Sequence, residues 1–196
     1  MQSFSYFPTS ICRDEKPELA HEVLSLYEEV VDPLRDENPY FVQSEDLTAH
    51  TGVQNLRSYL LESARYILRS QGYSVEKYDF FLSGLWAQEI TQGSGTNSHI
   101  HKNSQLSGWL FLDVGKQSAF PVYHDTRINK NMVELDYVEG EEISFATSAV
   151  HFKNIAAGTV LFNNAWVPHE LRPGKGKPTK CIHFIISHKD KACSIS

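Results

Sequence analysis

Cysteine is scarce in this chain: Cys12, Cys181 and Cys193 are odd in number, widely scattered, and form no CxxC pair. That argues against a disulfide framework and against a thiolate zinc site, so a reducing, cytoplasmic setting is expected. Long apolar runs are also missing, since no stretch approaches the roughly 20 apolar residues that a bilayer span requires. The opening MQSFSYFPTSICRDEKPE has no charged segment followed by an apolar one. A soluble, non-exported protein without a membrane partner is expected. Blocks of positive charge are absent too: 18 basic residues face 24 acidic ones for a net charge of −6, which leaves nothing to track a phosphate backbone. Nucleic acid is therefore not an expected partner. No internal repeat or low-complexity linker divides the chain, and 196 residues with 41% hydrophobic and 12% aromatic content can bury one full core. A single domain over residues 1–196 is expected.

What is present changes its hydrophobic period once. Residues 14–32 predict a helix, because Leu19, Val23, Leu26, Tyr27 and Val30 recur at three- and four-residue spacing and Pro33 follows. Residues 52–71 repeat the pattern through Val53, Leu56, Tyr59, Leu60, Ala64 and Ile67, with Gly72 placed as a C-terminal cap. From Tyr78 onward the runs are short, rich in β-branched and aromatic residues, and broken by Gly, Asn, Asp and Pro, as in FFLSGLWAQEI, SGWLFLDV, AFPVYH, ISFAT, GTVLFN and KCIHFIISH. Six to nine strands over residues 78–188 are expected. The class is α+β, mainly β, with N-terminal helices buttressing one sheet of a sandwich or barrel.

The chemistry-bearing residues gather between positions 93 and 180. In GSGTNSHIHKNSQLSGWLFL, His99 and His101 stand at i and i+2, a spacing that puts both imidazoles on one face of a strand. Gly93, Gly95 and Asn97 suit a turn into that strand, which places the pair at a barrel mouth. His169, in AAGTVLFNNAWVPHELRP, would return to the same mouth through a strand, a turn and a Pro-His step. Three neutral nitrogen ligands would leave positions open on an octahedral ion. An isolated HxH is more often two ordinary histidines, so context carries the reading. Gly93 followed by five residues and HxH resembles the first cupin motif, and Gly158 with His169 eleven residues later resembles the second. The glutamate usual in the first motif is missing, with Leu106 near its place.

The arrangement WAQEI, HIHKNSQLSGWLFLDV, VYHDTR, IAAGTVLFNNAWVPHELRP and KCIHFIIS resembles a small group of 2-oxoglutarate- and Fe(II)-dependent oxygenases from bacteria and phages, over roughly residues 80–188. The group carries HxHxxSxLSG, then DxR, GDLxLFPxxxxH and a closing RxSxxFN strand. The resemblance implies a double-stranded β-helix of jelly-roll, cupin type, Fe(II) at its mouth and 2-oxoglutarate as cosubstrate. By that pattern His99, His101 and His169 are the metal ligands. His101 stands where most such oxygenases have a carboxylate, so Asp125 in YHDTR is a further candidate ligand, against its simpler role as a turn aspartate. Lys180 falls where the group has the arginine that meets the cosubstrate's distal carboxylate, with Ile182 in the serine position; Arg172 and Arg127 are competing cations. Ser104 and Ser107 lie in the HxHxxSxLSG stretch, where a hydroxyl could contact cosubstrate. His183 alternates with Lys180 along the strand and is expected to point away from the site, while Trp86 and Trp109 are expected in the core.

The function that follows is an Fe(II)- and 2-oxoglutarate-dependent dioxygenase hydroxylating a small-molecule or peptide substrate with O₂. The alternatives are a three-histidine cupin dioxygenase that does not use 2-oxoglutarate and a non-catalytic metal- or ligand-binding barrel. Substrate selectivity is expected from the connecting segments 36–51 and 126–142.

Overall fold

The structure is a computed structural model that describes residue 2, residues 8–127 and residues 147–191. Helix α1 spans Pro17–Val31 and α2 spans Gln54–Ser70. Proline fits the first turn of α1, where its missing N–H costs nothing. The helix buries Leu19, Val23, Leu26, Tyr27 and Val31 along one stripe. It begins three residues later than its hydrophobic spacing suggests, because a first strand, β1 (Ile11–Glu15), claims Asp14 and Glu15 for antiparallel pairing with β7 (Thr159–Asn164). In α2 the buried stripe is Leu56, Leu60, Ala64, Ile67 and Leu68. Gly72 follows its end at φ +94°, a left-handed conformation that lets Tyr73 N–H reach back to the Leu68 carbonyl.

The remaining strands are β2 (Phe41–Gln43), β3 (Tyr78–Ile90), β4 (Leu106–Asp113), β5 (Phe120–His124), β6 (Ala149–His151), β8 (His169–Arg172) and β9 (Thr179–Asp190). They form a six-stranded sheet of order β1-β7-β4-β9-β3-β2 and a three-stranded sheet of order β6-β5-β8, every pairing antiparallel. The two sheets remain separate rather than closing into one barrel.

The large sheet is buried on both faces, and the alternation of side chains sorts its residues into two cores. Leu106, Leu110, Leu112, Ile182, Phe184 and Ile186 pack with the helices. Trp109, Phe111, Leu161 and Cys181 pack with Tyr123 and Leu171 of the small sheet. Gly108 sits where strands crowd: a Cβ there would lie 1.8 Å from the Leu161 carbonyl oxygen and 2.7 Å from the Phe184 ring. Among the described residues no helix is long and apolar enough to cross a membrane. The residues 36–51 include β2, which pairs with β3 at the sheet edge. Nearly all of the segment 126–142 lies outside the described residues, as does Cys193.

Candidate metal centre

His99 and His101 lie on an irregular segment just before β4, not on a regular strand. It is held in place by the backbone. His99 and His169 exchange two N–H···O bonds of 3.0 Å, and His101 N–H donates to the Ala165 carbonyl at 2.9 Å. Because His169 opens β8 and Ala165 lies in the connection from β7, β8 and that connection position all three imidazoles through these few bonds. Ring centroids stand 4.9 Å apart for His99 and His101, 4.7 Å for His99 and His169, and 5.1 Å for His101 and His169. One ligand nitrogen from each lies within 4.8 Å of the others.

Hydrogen bonds behind the rings set their tautomers. Nδ1 of His99 lies 2.7 Å from the Asn97 carbonyl, and Nδ1 of His169 lies 2.8 Å from the Val167 carbonyl. A carbonyl can only accept, so each Nδ1 carries the proton and each Nε2 keeps its lone pair. Behind His169, Asn163 Nδ2 is 3.4 Å from Nδ1 and donates to Ser107 Oγ at 3.0 Å. Burial pushes His101 down to about 4, with the charge of His99 adding to the effect. Burial pushes His169 down to about 3, against the opposing pull of its bond to Val167. Both rings are uncharged at neutral pH, the form that donates a lone pair to a cation.

A cavity of about 320 Å³ opens beside the rings of His99 and His101. Trp86, Trp109, Phe41 and Ile185 form its apolar walls, and Gln43, Gln88, Thr96 and His183 its polar ones. None of these side chains is cationic, and no cation lines the cavity among the described residues. Trp86 fits because Gly84, two residues earlier on the same face, leaves room: a Cβ there would lie 2.0 Å from the indole.

A family model described as "Putative 2OG-Fe(II) oxygenase" matches residues 84–184, just over half of the chain. The chain belongs to this oxygenase family. Solved structures agree on the fold. A Burkholderia pseudomallei oxidoreductase of the 2OG-Fe(II) oxygenase family is 14% identical with a TM-score of 0.61, the match covering 89% of this chain and 80% of that one. HygX from Streptomyces hygroscopicus, with nickel and 2-oxoglutarate bound, is 14% identical with a TM-score of 0.57 over 91% of this chain and 83% of that one. A Pseudomonas putida prolyl-4-hydroxylase is 10% identical with a TM-score of 0.57 over 94% of both chains. The shared architecture is the double-stranded β-helix. No curated protein sequence matches.

In this oxygenase the other expected site residues fall in different places. Lys180 lies on the helix-facing side of β9, where its Nζ meets Glu28 Oε1 at 2.5 Å and stands 5.7 Å from the Tyr27 ring centre. It is not brought to the histidines. The alternation between Lys180 and His183 is as expected, but its phase is inverted: His183 points into the cavity. A one-residue change in the turn between His169 and β9 is enough to exchange the two faces of a strand. Arg172 pairs with Glu170 at 2.6 Å. Asp125 takes Arg127 at 2.6 Å and is not part of the three-histidine group. Ser107 is buried behind His169 and does not line the cavity, and Ser104 lines a separate cleft with Tyr73 and Trp166 on the outer side.

Trp86 and Trp109 were expected to be core residues, but both face the cavity, Trp109 while also buried in the inner core. The β2 residues Phe41 and Gln43, part of the 36–51 segment, also reach it. Sequence reasoning missed Gln88 and His183. The alternation of β9 groups Cys181, His183 and Ile185 on one face but does not say which face meets the cavity, and no local signal marked Gln88.

Proposed function

We propose that this chain binds Fe(II) through His99, His101 and His169 and uses it, with 2-oxoglutarate and O₂, to hydroxylate a small-molecule or peptide substrate. The observation that carries the proposal is the convergence of the three imidazoles inside the segment that matches the oxygenase family. The donor set suits the ion. Nε2 of His101 and Nε2 of His169 lie 3.2 Å apart, close to the roughly 3 Å that separates two adjacent nitrogens with bonds of about 2.1 Å to one ion. The bonds to Asn97 and Val167 aim the lone pairs inward, as second partners of metal-binding imidazoles do.

When bound, the ion and its cosubstrate supply O₂ activation and the oxidative decarboxylation that makes succinate. The protein's own part is to orient and to exclude water. The Trp86, Trp109, Phe41 and Ile185 walls would shield a bound cosubstrate from water on that side and strengthen the polar contacts it makes. The Ser107–Asn163 pair packs behind His169, and the Val167 carbonyl holds its ring by accepting from Nδ1. The free thiols of Cys12 and Cys181 support the cytoplasm as the compartment.

One observation favours a second reading: the uncharged cavity suits a three-histidine dioxygenase that does not use 2-oxoglutarate. Succinate separates the two. Iron-loaded protein incubated with ¹⁴C-labelled 2-oxoglutarate, O₂ and ascorbate is expected to release labelled CO₂ and succinate above a His169→Ala background. O₂ consumption with a thiol and no decarboxylation would replace the first reading by the second.

A further inference from the structure

We infer that this chain binds the distal carboxylate of 2-oxoglutarate without a cation, through a hydrogen bond from the imidazole of His183 in the slot between Trp86 and Trp109. The inference rests on the proposed cosubstrate, and it concerns the residues of this chain that would meet it.

His183 sits on β9 directly between two cross-strand neighbours, Trp86 on β3 and Trp109 on β4. Its ring stacks on both, with centroids 5.7 Å and 5.5 Å away and planes within 26° and 29° of parallel. Two indoles thus fix the plane of the imidazole and leave only its edge for polar contact. The residue is 6% exposed, lines the cavity, and keeps its Nε2 buried with no partner in the protein. A buried imidazole nitrogen without a partner is unfavourable unless a ligand or water meets it. Its ring lies 5.2 Å from that of His101, so a molecule held at the three histidines reaches it within a few bonds.

Of the β9 residues on that face, His183 is the polar one that lines the cavity. Thr179 spends its hydroxyl on the Ala119 carbonyl, Cys181 is buried in the inner core, and Ile185 is apolar. Three neighbouring cations are committed to carboxylates, Lys180 to Glu28, Lys177 to Asp113 and Arg172 to Glu170, and among the described residues no cation lines the cavity.

Charge still balances. Three neutral imidazoles leave a divalent ion its full two positive charges, which match the two carboxylates of the cosubstrate. The wall then needs to supply only a hydrogen bond, and an uncharged imidazole has one N–H to give.

The test uses full-length protein loaded with Mn(II) under anaerobic conditions, with dissociation constants measured by calorimetry. The ligands are 2-oxoglutarate, 2-oxobutyrate, which has the same chelating head and no distal carboxylate, and the 5-methyl ester of 2-oxoglutarate, whose distal group is neutral. His183→Phe keeps the stacking and removes the N–H. It is expected to weaken 2-oxoglutarate by about 10- to 100-fold, as for a hydrogen bond to a charged group, while leaving 2-oxobutyrate and Mn(II) binding unchanged. His183→Asn, which retains an N–H, should recover part of the loss. Should the phenylalanine variant misfold, the wild type alone decides: the 5-methyl ester is expected within about tenfold of 2-oxoglutarate if a neutral donor meets it, and a loss beyond a hundredfold would show a cation and overturn the inference. Equal 2-oxoglutarate affinity in wild type and His183→Phe overturns it too, while leaving the proposed function standing. Wild-type protein that binds Mn(II) but not 2-oxoglutarate overturns both.

Discussion

Replacing Lys180 with alanine separates the pattern-based role of this residue from the role its surroundings give it. Its Nζ lies 2.5 Å from Glu28 Oε1 and its side chain is 23% exposed. Glu28 does not depend on it, because Arg35 reaches the other oxygen at 3.0 Å. The loss is therefore one partly exposed ion pair and a loose cation–π contact with Tyr27, together about 1 kcal/mol. That corresponds to a fall in Tm of about 2–4 °C for a chain of this size. Arg35→Ala is the informative contrast. Glu89, only 6% exposed in its side chain, accepts Arg35 Nε at 3.0 Å and a terminal guanidinium nitrogen at 2.8 Å. Removing that guanidinium leaves a buried carboxylate whose remaining side-chain partner among the described residues is the Tyr27 hydroxyl, at 3.3 Å, and costs about 3–5 kcal/mol. Urea unfolding of the apo-proteins reads both differences, and calorimetry with 2-oxoglutarate should show no change in affinity for Lys180→Ala. A hundredfold loss of affinity in Lys180→Ala, with stability intact, would refute this reasoning and return Lys180 to the cavity.

His99→Ala, His101→Ala and His169→Ala are each expected to abolish stoichiometric Fe(II) or Co(II) binding, read by the Co(II) absorption spectrum, whereas His124→Ala, whose Nε2 faces Glu170 at 3.5 Å, should bind normally. Apo-protein stability should fall as the pH drops below about 6.5: the unfolded chain takes up protons there that folded His101 and His169 refuse until about 4 and about 3. His169→Gln should flatten that dependence in urea titrations at several pH values, and an unchanged slope would contradict the burial argument. Gly108→Ala should lower the unfolding midpoint sharply or prevent soluble expression, because the new methyl would meet the Leu161 carbonyl carbon at 2.9 Å and its oxygen closer still.

The two helices, the strand-rich remainder and the histidines worth watching were legible in the residues themselves. Local periods of 3.6 and 2 report which positions are buried, and HxH with a later Pro-His step is a local pattern. The alternation along β9 was legible in the same way, since it separates Lys180 from His183 whatever the fold. Which of the two faces the cavity was not legible. Both faces of the large sheet are buried, one under the helices and one under the small sheet, so hydrophobic pattern could not tell inside from outside. Only the pairing of β9 with β3 and β4 decided that phase, putting His183 between two tryptophans and sending Lys180 to Glu28. The same holds for β1, whose pairing with β7 across more than 140 residues drew Asp14 and Glu15 out of a helical pattern. Long-range pairing outweighs local preference wherever a strand completes a sheet that the local sequence cannot see.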